Sequence, residues 1–259
     1  MEESNANPPD RFPQASSLFN RIANIFAAPG EVYDQVKASP FSTANWLVPS
    51  LILIAVSWIG VEIIFSQPSI RQQIKDQQNL AIQKQVEKGK ITKAQAEQIL
   101  ARTERIANAA VVIGAFIAPA LAALVTPFWW GLLLWVAGAK VLKSSFSYMK
   151  AVEVAGLAGM IGVLDSIART LLIVATGNLF VNLGPVMLVK EFDQANATHA
   201  ILAVFNLITL WGLAVKSVGL SRLSGVPLGK ASIFVFGMWV AYTGFLISLG
   251  MAAQSMSAG

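Results

Sequence analysis

The sequence predicts an all-α integral membrane protein, a bundle of five transmembrane helices with short amphipathic helices before it and a polar helical hairpin between its first two spans. Three observations carry this. The 259 residues are 55% hydrophobic and only 13% charged, against about 25% charged in an ordinary soluble domain. Mean hydropathy is +0.59. Apolar runs of membrane-crossing length recur along the chain, separated by short polar stretches.

Residues 1–16 read as a disordered tail, holding Pro8, Pro9 and Pro13 among Asn and Ser with little to bury. The acidic start (Glu2, Glu3) lacks the basic and apolar order of a cleavable signal peptide. Residues 17–45 hold two short amphipathic helices. Leu18, Phe19, Ile22, Ile25 and Phe26 recur on one face, Ser17 suits the N-cap, and Pro29-Gly30 divides the segment. Two readings stay open for the apolar faces: they lie in the lipid interface, or they pack against the protein's own spans.

The membrane domain covers 46–253, with spans at about 46–65, 109–137, 151–176, 200–218 and 231–253, and a tail at 254–259. Trp46 and the cluster Phe128, Trp129, Trp130 and Trp135 mark span ends, as aromatic belts do. Pro119 and Pro127 should kink span 2. Residues 66–108 change character: Gln and Lys dominate, and most residues favour helix. Gly89 stops a first arm, and Thr92 with Gln95 forms a capping box for a second. The thin apolar stripe Ile70, Ile74, Ile82, Val86, Ile91, Ile99 and Leu100 needs a partner. The apolar piece 180–189 contains Gly184-Pro185, is too short to cross, and is expected at the interface.

Orientation is undecided by charge. With the N-terminus inside, nine Lys/Arg of the short loops and ends oppose nine on the other side, eight in the 66–108 hairpin plus Lys190. The net charge of +5 suits loops facing anionic headgroups better than nucleic acid.

Ionisable residues inside spans are costly and are functional candidates by default. They are Glu62 near the end of span 1, Glu153 at the start of span 3 where a carboxylate suits the helix dipole, Asp165 and Arg169 deep in span 3, and Lys216 near the end of span 4. Asp165 and Arg169, four residues apart, can pair on one face as a structural lock; alternatively Asp165 relays protons or ions, with Glu62 as a second carboxylate. Glu62, Glu153 and Lys216 can reach the interface by snorkelling. Gly156, Gly159 and Gly162 in span 3, and Gly237, Gly244 and Gly250 in span 5, offer close helix contacts. With no cysteine and one histidine, a metal site is not expected. No phosphate loop, nucleotide fingerprint or Ser/His/Asp set is present, so no catalytic residue and no cofactor is expected. The partners expected are the lipid bilayer and membrane proteins docking on the 66–108 hairpin.

Several segments carry a resemblance. Ile25-Phe26-Ala27-Ala28-Pro29-Gly30-Glu31-Val32-Tyr33 resembles the F-x-x-P-x-x-V-F start of the bacterial branch of the Yip-domain family, multi-pass membrane proteins named for interaction with Ypt/Rab GTPases. Ser145 to Ala151 looks like that family's loop before its third span. Leu210-Trp211 with Gly219 to Gly225 looks like its fourth span and following loop, and Gly229-Lys230-Ala231 like the start of its last. The resemblance covers about 18–250 and implies five spans, a cytosolic N-terminus as in the eukaryotic members, a bacterial inner-membrane location and a non-enzymatic role in organising membrane partners or in membrane trafficking or shape. The chain departs from the eukaryotic members in lacking their D-L-Y-G-P motif and in carrying the basic hairpin. A small transporter or channel using the intramembrane charges, or a membrane subunit of a larger complex, are the alternatives.

Overall fold

In the computed structural model, which describes residues 17–189, 192 and 196–258, every regular element among those residues is helical. The expected tail 1–16 and Lys190 lie outside the described residues. Helices α1 (Leu18–Asn24) and α2 (Pro29–Ala38) precede α3 (Ala44–Ser66). The hairpin is α4 (Pro68–Glu87) and the first turns of α5 (Lys93–Trp135). Then come α6 (Tyr148–Thr176), α7 (Ala197–Val204), α8 (Leu207–Ser224) and α9 (Leu228–Ala258).

Four stretches are long and apolar enough to cross a bilayer: Ala44–Ser66, Ile113–Val141, Tyr148–Thr176 and Leu228–Ala252. Counted as one span, the bent pair of α7 and α8, meeting at 53°, brings the number to five. The chain is thus an all-α multi-pass membrane bundle. The fourth span expected at 200–218 is not one continuous helix. Asn206 interrupts it, because its side chain caps α8 by accepting from Ile208 N at 3.0 Å instead of letting the helix run through. The loop after α6 meets the backbone groups this frees: Asn182 Nδ2 donates to the Ala203 carbonyl at 2.8 Å, and Leu207 N donates to the Leu183 carbonyl at 2.9 Å. Broken helices survive at membrane depth only with such partners. Gly184 lies so close to the Phe205 carbonyl that any Cβ would collide with it. The apolar piece 180–189 therefore props the broken span, with a 3₁₀ turn at Pro185–Leu188.

Helix α5 runs through both Pro119 and Pro127 and passes into a π-helical turn, Val136–Val141. Helix α9 continues through Ala258, into the tail at 254–259. The capping signals act as read: Ser17 caps α1, Thr92 and Gln95 form the reciprocal box that opens α5, and Gly89 takes φ +68° after α4.

Helices α3 and α6 run parallel, side by side, and form the spine of the bundle. Gly156 sits against the Trp46 backbone and Gly60 against the Thr170 side chain, while the Ser57 and Ser166 hydroxyls meet at 3.4 Å. These contacts keep a constant register along both helices, with small residues permitting the approach. The main core gathers Leu157, Ile161, Leu134, Leu213, Leu220 and Val235 from the spans with Ile25, Val32, Tyr33 and Val36 from α1–α2. Against the protein's own spans this segment buries Ile25, Val32, Tyr33 and Val36, whereas Phe19 of the same stripe is 77% exposed. A second, small core at the other end joins Ile70 of α4 to Ile173 and Val181, which supplies the partner that the hairpin's apolar stripe needed.

Candidate functional site

Two polar clusters are built into this frame, one at the end carrying α1–α2 and one between the spans. The first centres on Glu153, fully buried in the opening turns of α6. Its Oε1 accepts from Ser42 N at 2.9 Å and from Asn45 Nδ2 at 2.7 Å. Its Oε2 pairs with Lys150 Nζ at 2.7 Å. Lys150 also donates to the carbonyls of Val36 at 2.7 Å and Pro40 at 3.2 Å, and Asn45 Oδ1 accepts from Arg21 at 3.4 Å. One carboxylate and one ammonium thus tie α1, α2 and the start of α3 to α6. A buried charge is tolerable when it is paired and hydrogen-bonded, as the Lys150 ion pair at Oε2 and the two donors at Oε1 arrange here. Beside it the Tyr33 hydroxyl donates to the Val154 carbonyl at 3.3 Å; burial pushes that hydroxyl well above its usual range, so it stays protonated and able to donate. Glu153 was expected to reach the interface; instead it is the hub of a sealed network.

On the outer side of α2, Arg222 pairs with Asp34 at 3.2 Å and Lys37 Nζ donates to the Arg222 carbonyl at 2.9 Å. These residues line an open groove of about 750 Å³ between the α1–α2 connection and the end of α8.

The second cluster lies between the spans. Asp165 does not pair with Arg169: its Oδ1 accepts from Asn206 Nδ2 at 2.6 Å, which anchors the break in span 4 to α6. Arg169 is exposed and borders a different cavity, about 290 Å³, with Ser57, Ser166 and Thr170. Four residues on a helix share a face only approximately, and here the seam between α3 and α6 falls between the two side chains. Glu62 lies exposed on α3. Lys216 does not snorkel toward the end of α8. Its Nζ points back along the helix to the Gly212 carbonyl, 3.4 Å away, and lies over the Trp130 ring at 4.9 Å. Lys216 and Asp165 border one cavity of about 340 Å³, walled by Trp130, Trp239 and Tyr242 and floored by Gly159, Gly162 and Gly212. Of the five candidates, the structure therefore brings together Asp165 and Lys216 and leaves Glu62, Glu153 and Arg169 apart.

Sequence reasoning missed Asn45, Lys150 and Asn206. Lys150 and Glu153 stand three apart at a helix start, a spacing that pairs side chains, and Asn206 is a lone amide in an apolar run, a polar residue that the bilayer penalises unless partnered.

A family model of the Yip1 domain matches residues 23–250, from α1 almost to the end of the last span. The chain belongs to the Yip1 domain family. The match covers α2, the four long apolar helices and the bent α7–α8 pair, and takes in only the last two residues of α1. No curated protein and no solved structure matches the chain.

Proposed function

We infer that this Yip1 domain protein is a non-enzymatic membrane scaffold that gathers partner proteins at the bilayer, with the α4–α5 hairpin as its docking arm. We place it in a bacterial inner membrane with α1 and α2 on the cytoplasmic side. The observation that carries the reading is how the hairpin is held. Its base is fixed to the bundle through Ile70 and Ile74 in the small core and through Gln73 Oε1, which accepts from Leu179 N at 3.0 Å. It presents Arg71 and Lys75 to solvent near the base, and Lys88, Lys90 and Lys93 with half-exposed Leu80 on its outer part. A basic arm with an apolar contact, rigidly rooted, suits an acidic protein surface. The α1–α2 segment supports a scaffold in a second way. Ile25, Val32, Tyr33 and Val36 anchor it in the core and Phe19 stays exposed, so it serves as a fixed platform beside the bilayer.

The test keeps the rooted base and removes the arm. A variant with residues 79–101 replaced by a short Gly/Ser linker should keep the thermal stability of the full chain in detergent, yet lose the proteins cross-linked to the full chain in its native membrane. An unchanged set of cross-linked proteins overturns the docking role.

A further inference from the structure

We propose that the cavity between α5, α6, α8 and α9 is a binding site for a single-chain amphiphile with one anionic head, its oxyanion on Lys216 and its apolar body reaching toward Asp165. The first observation is the state of Lys216. Its ammonium has three donors, and its interactions are one 3.4 Å hydrogen bond to the Gly212 carbonyl and one face of Trp130. Among the described residues no carboxylate lies within ion-pair distance of it. A cation held away from water at membrane depth without a counter-ion is costly, and a protein retains it where a ligand supplies the missing charge.

The second observation is geometric. Lys216 Nζ sits level with Gly212, and Asp165 is held level with Asn206. Six residues of α8 separate those levels, about 9 Å along the axis. The two charges are therefore too far apart to neutralise each other, and a molecule can lie between them. The space joining them is bounded by aromatic rings and bare glycine faces. Nothing lies within 4 Å of where a Gly159 Cβ would stand, so this glycine leaves room and is not forced by helix contact.

The third observation sets the ligand's polarity. The Asp165 carboxylate, oriented by Asn206, faces the far end and repels a second anion there. About 340 Å³ is at the low end of small-molecule sites, roughly 300–1,000 Å³, which suits one chain and excludes a two-chain phospholipid. A carboxylate or phosphate ester on a chain of up to about ten carbons covers the roughly 9 Å between the two levels, the longer chains with their tails bent. The site does not involve the hairpin, so its failure would leave the docking role untouched, and the reverse.

The cavity carries its own reporters, Trp130 and Trp239. The purified full chain in detergent is titrated with 10-bromodecanoate, and tryptophan quenching is followed. 10-Bromodecyl phosphate serves as the phosphate arm, and 10-bromodecanol as the neutral control. Saturable quenching is expected for one or both anions, with the alcohol weaker by roughly tenfold or more, as loss of a charge-assisted contact implies. Unbrominated decanoate should compete, and decanedioate should compete at least several-fold less well. Lys216→Met should weaken anion binding to the level of the alcohol, Lys216→Arg should retain it, and Gly159→Leu should abolish it for every probe. Equal potency of anion and alcohol on the wild-type chain, quenching that does not saturate, or quenching unchanged in Gly159→Leu would each overturn the proposal. The wild-type comparison decides even if Lys216→Met does not fold.

Discussion

Glu153→Leu is expected to release α1 and α2 from the bundle while leaving the spans in place. The carboxylate receives Ser42 N, Asn45 Nδ2 and the Lys150 ammonium, and all of these remain buried or half-buried when it is removed. Breaking one partner of a buried pair costs about 3–5 kcal/mol, because the other charge is left without compensation. Leucine fills the volume but receives none of the three donors. The cheapest escape for Lys150 is to turn outward, which surrenders its bonds to the Val36 and Pro40 carbonyls and with them the end of α2. Hydrogen exchange should therefore accelerate across residues 18–45, and thermal unfolding in detergent should fall by about 10 °C. Asp34→Ala gives the contrast. It breaks the exposed pair with Arg222 and should shift stability by less than about 1 kcal/mol. Unchanged protection of α1–α2 in Glu153→Leu would show that apolar packing alone holds them.

A paired substitution in α6 separates two glycines that look alike in sequence. Gly156→Leu should prevent assembly of the α3–α6 spine, because even a Cβ there collides with the backbone of Trp46, which cannot move without displacing α3. Overpacking of a tight core costs about 1–3 kcal/mol and more where backbone is struck. Gly159→Leu, three residues on, meets open space and should leave the apparent unfolding temperature within about 2 °C. Purified yield and unfolding temperature of the two variants, side by side, provide the check. Equal damage from both would mean that α6 lies against α3 in another register.

The contrast shows what the sequence could and could not reveal. The recurrence Gly156, Gly159, Gly162 signals close approach on a helix face, but which glycine touches a neighbour depends on the angle of crossing with α3, a residue set more than a hundred positions away. The spans at Ala44–Ser66, Tyr148–Thr176 and Leu228–Ala252 were readable because uninterrupted apolar length is a local property set by bilayer thickness. The capping of α1 and α5 was readable for the same reason: caps act over three residues. The break at Asn206 was not seen. A single amide barely alters the hydropathy of its window, and its partners Asp165 and Ile208 include one from another span. The α1–α2 stripe showed an apolar face without showing whether lipid or protein would cover it, since both are equally apolar solvents. Glu153 was singled out as an ionisable residue in a span, yet its role as a hub depended on Ser42 and Asn45, which only the fold brings to it.

The proposed scaffold sets the α1–α2 platform on one side of the membrane and the hairpin on the other, with α3 crossing between them and α5 and α6 crossing in turn. The chain has no native cysteine, so single cysteines can be introduced at 31 on α2, 143 before α6, 89 at the hairpin tip and 178 after α6, and labelled in sealed vesicles with a membrane-impermeant maleimide. The account predicts that 31 and 143 react from one side only and that 89 and 178 react from the opposite side only. Labelling of 31 and 89 from the same side would contradict it, because α3 would then not cross the bilayer and the scaffold would have a single face.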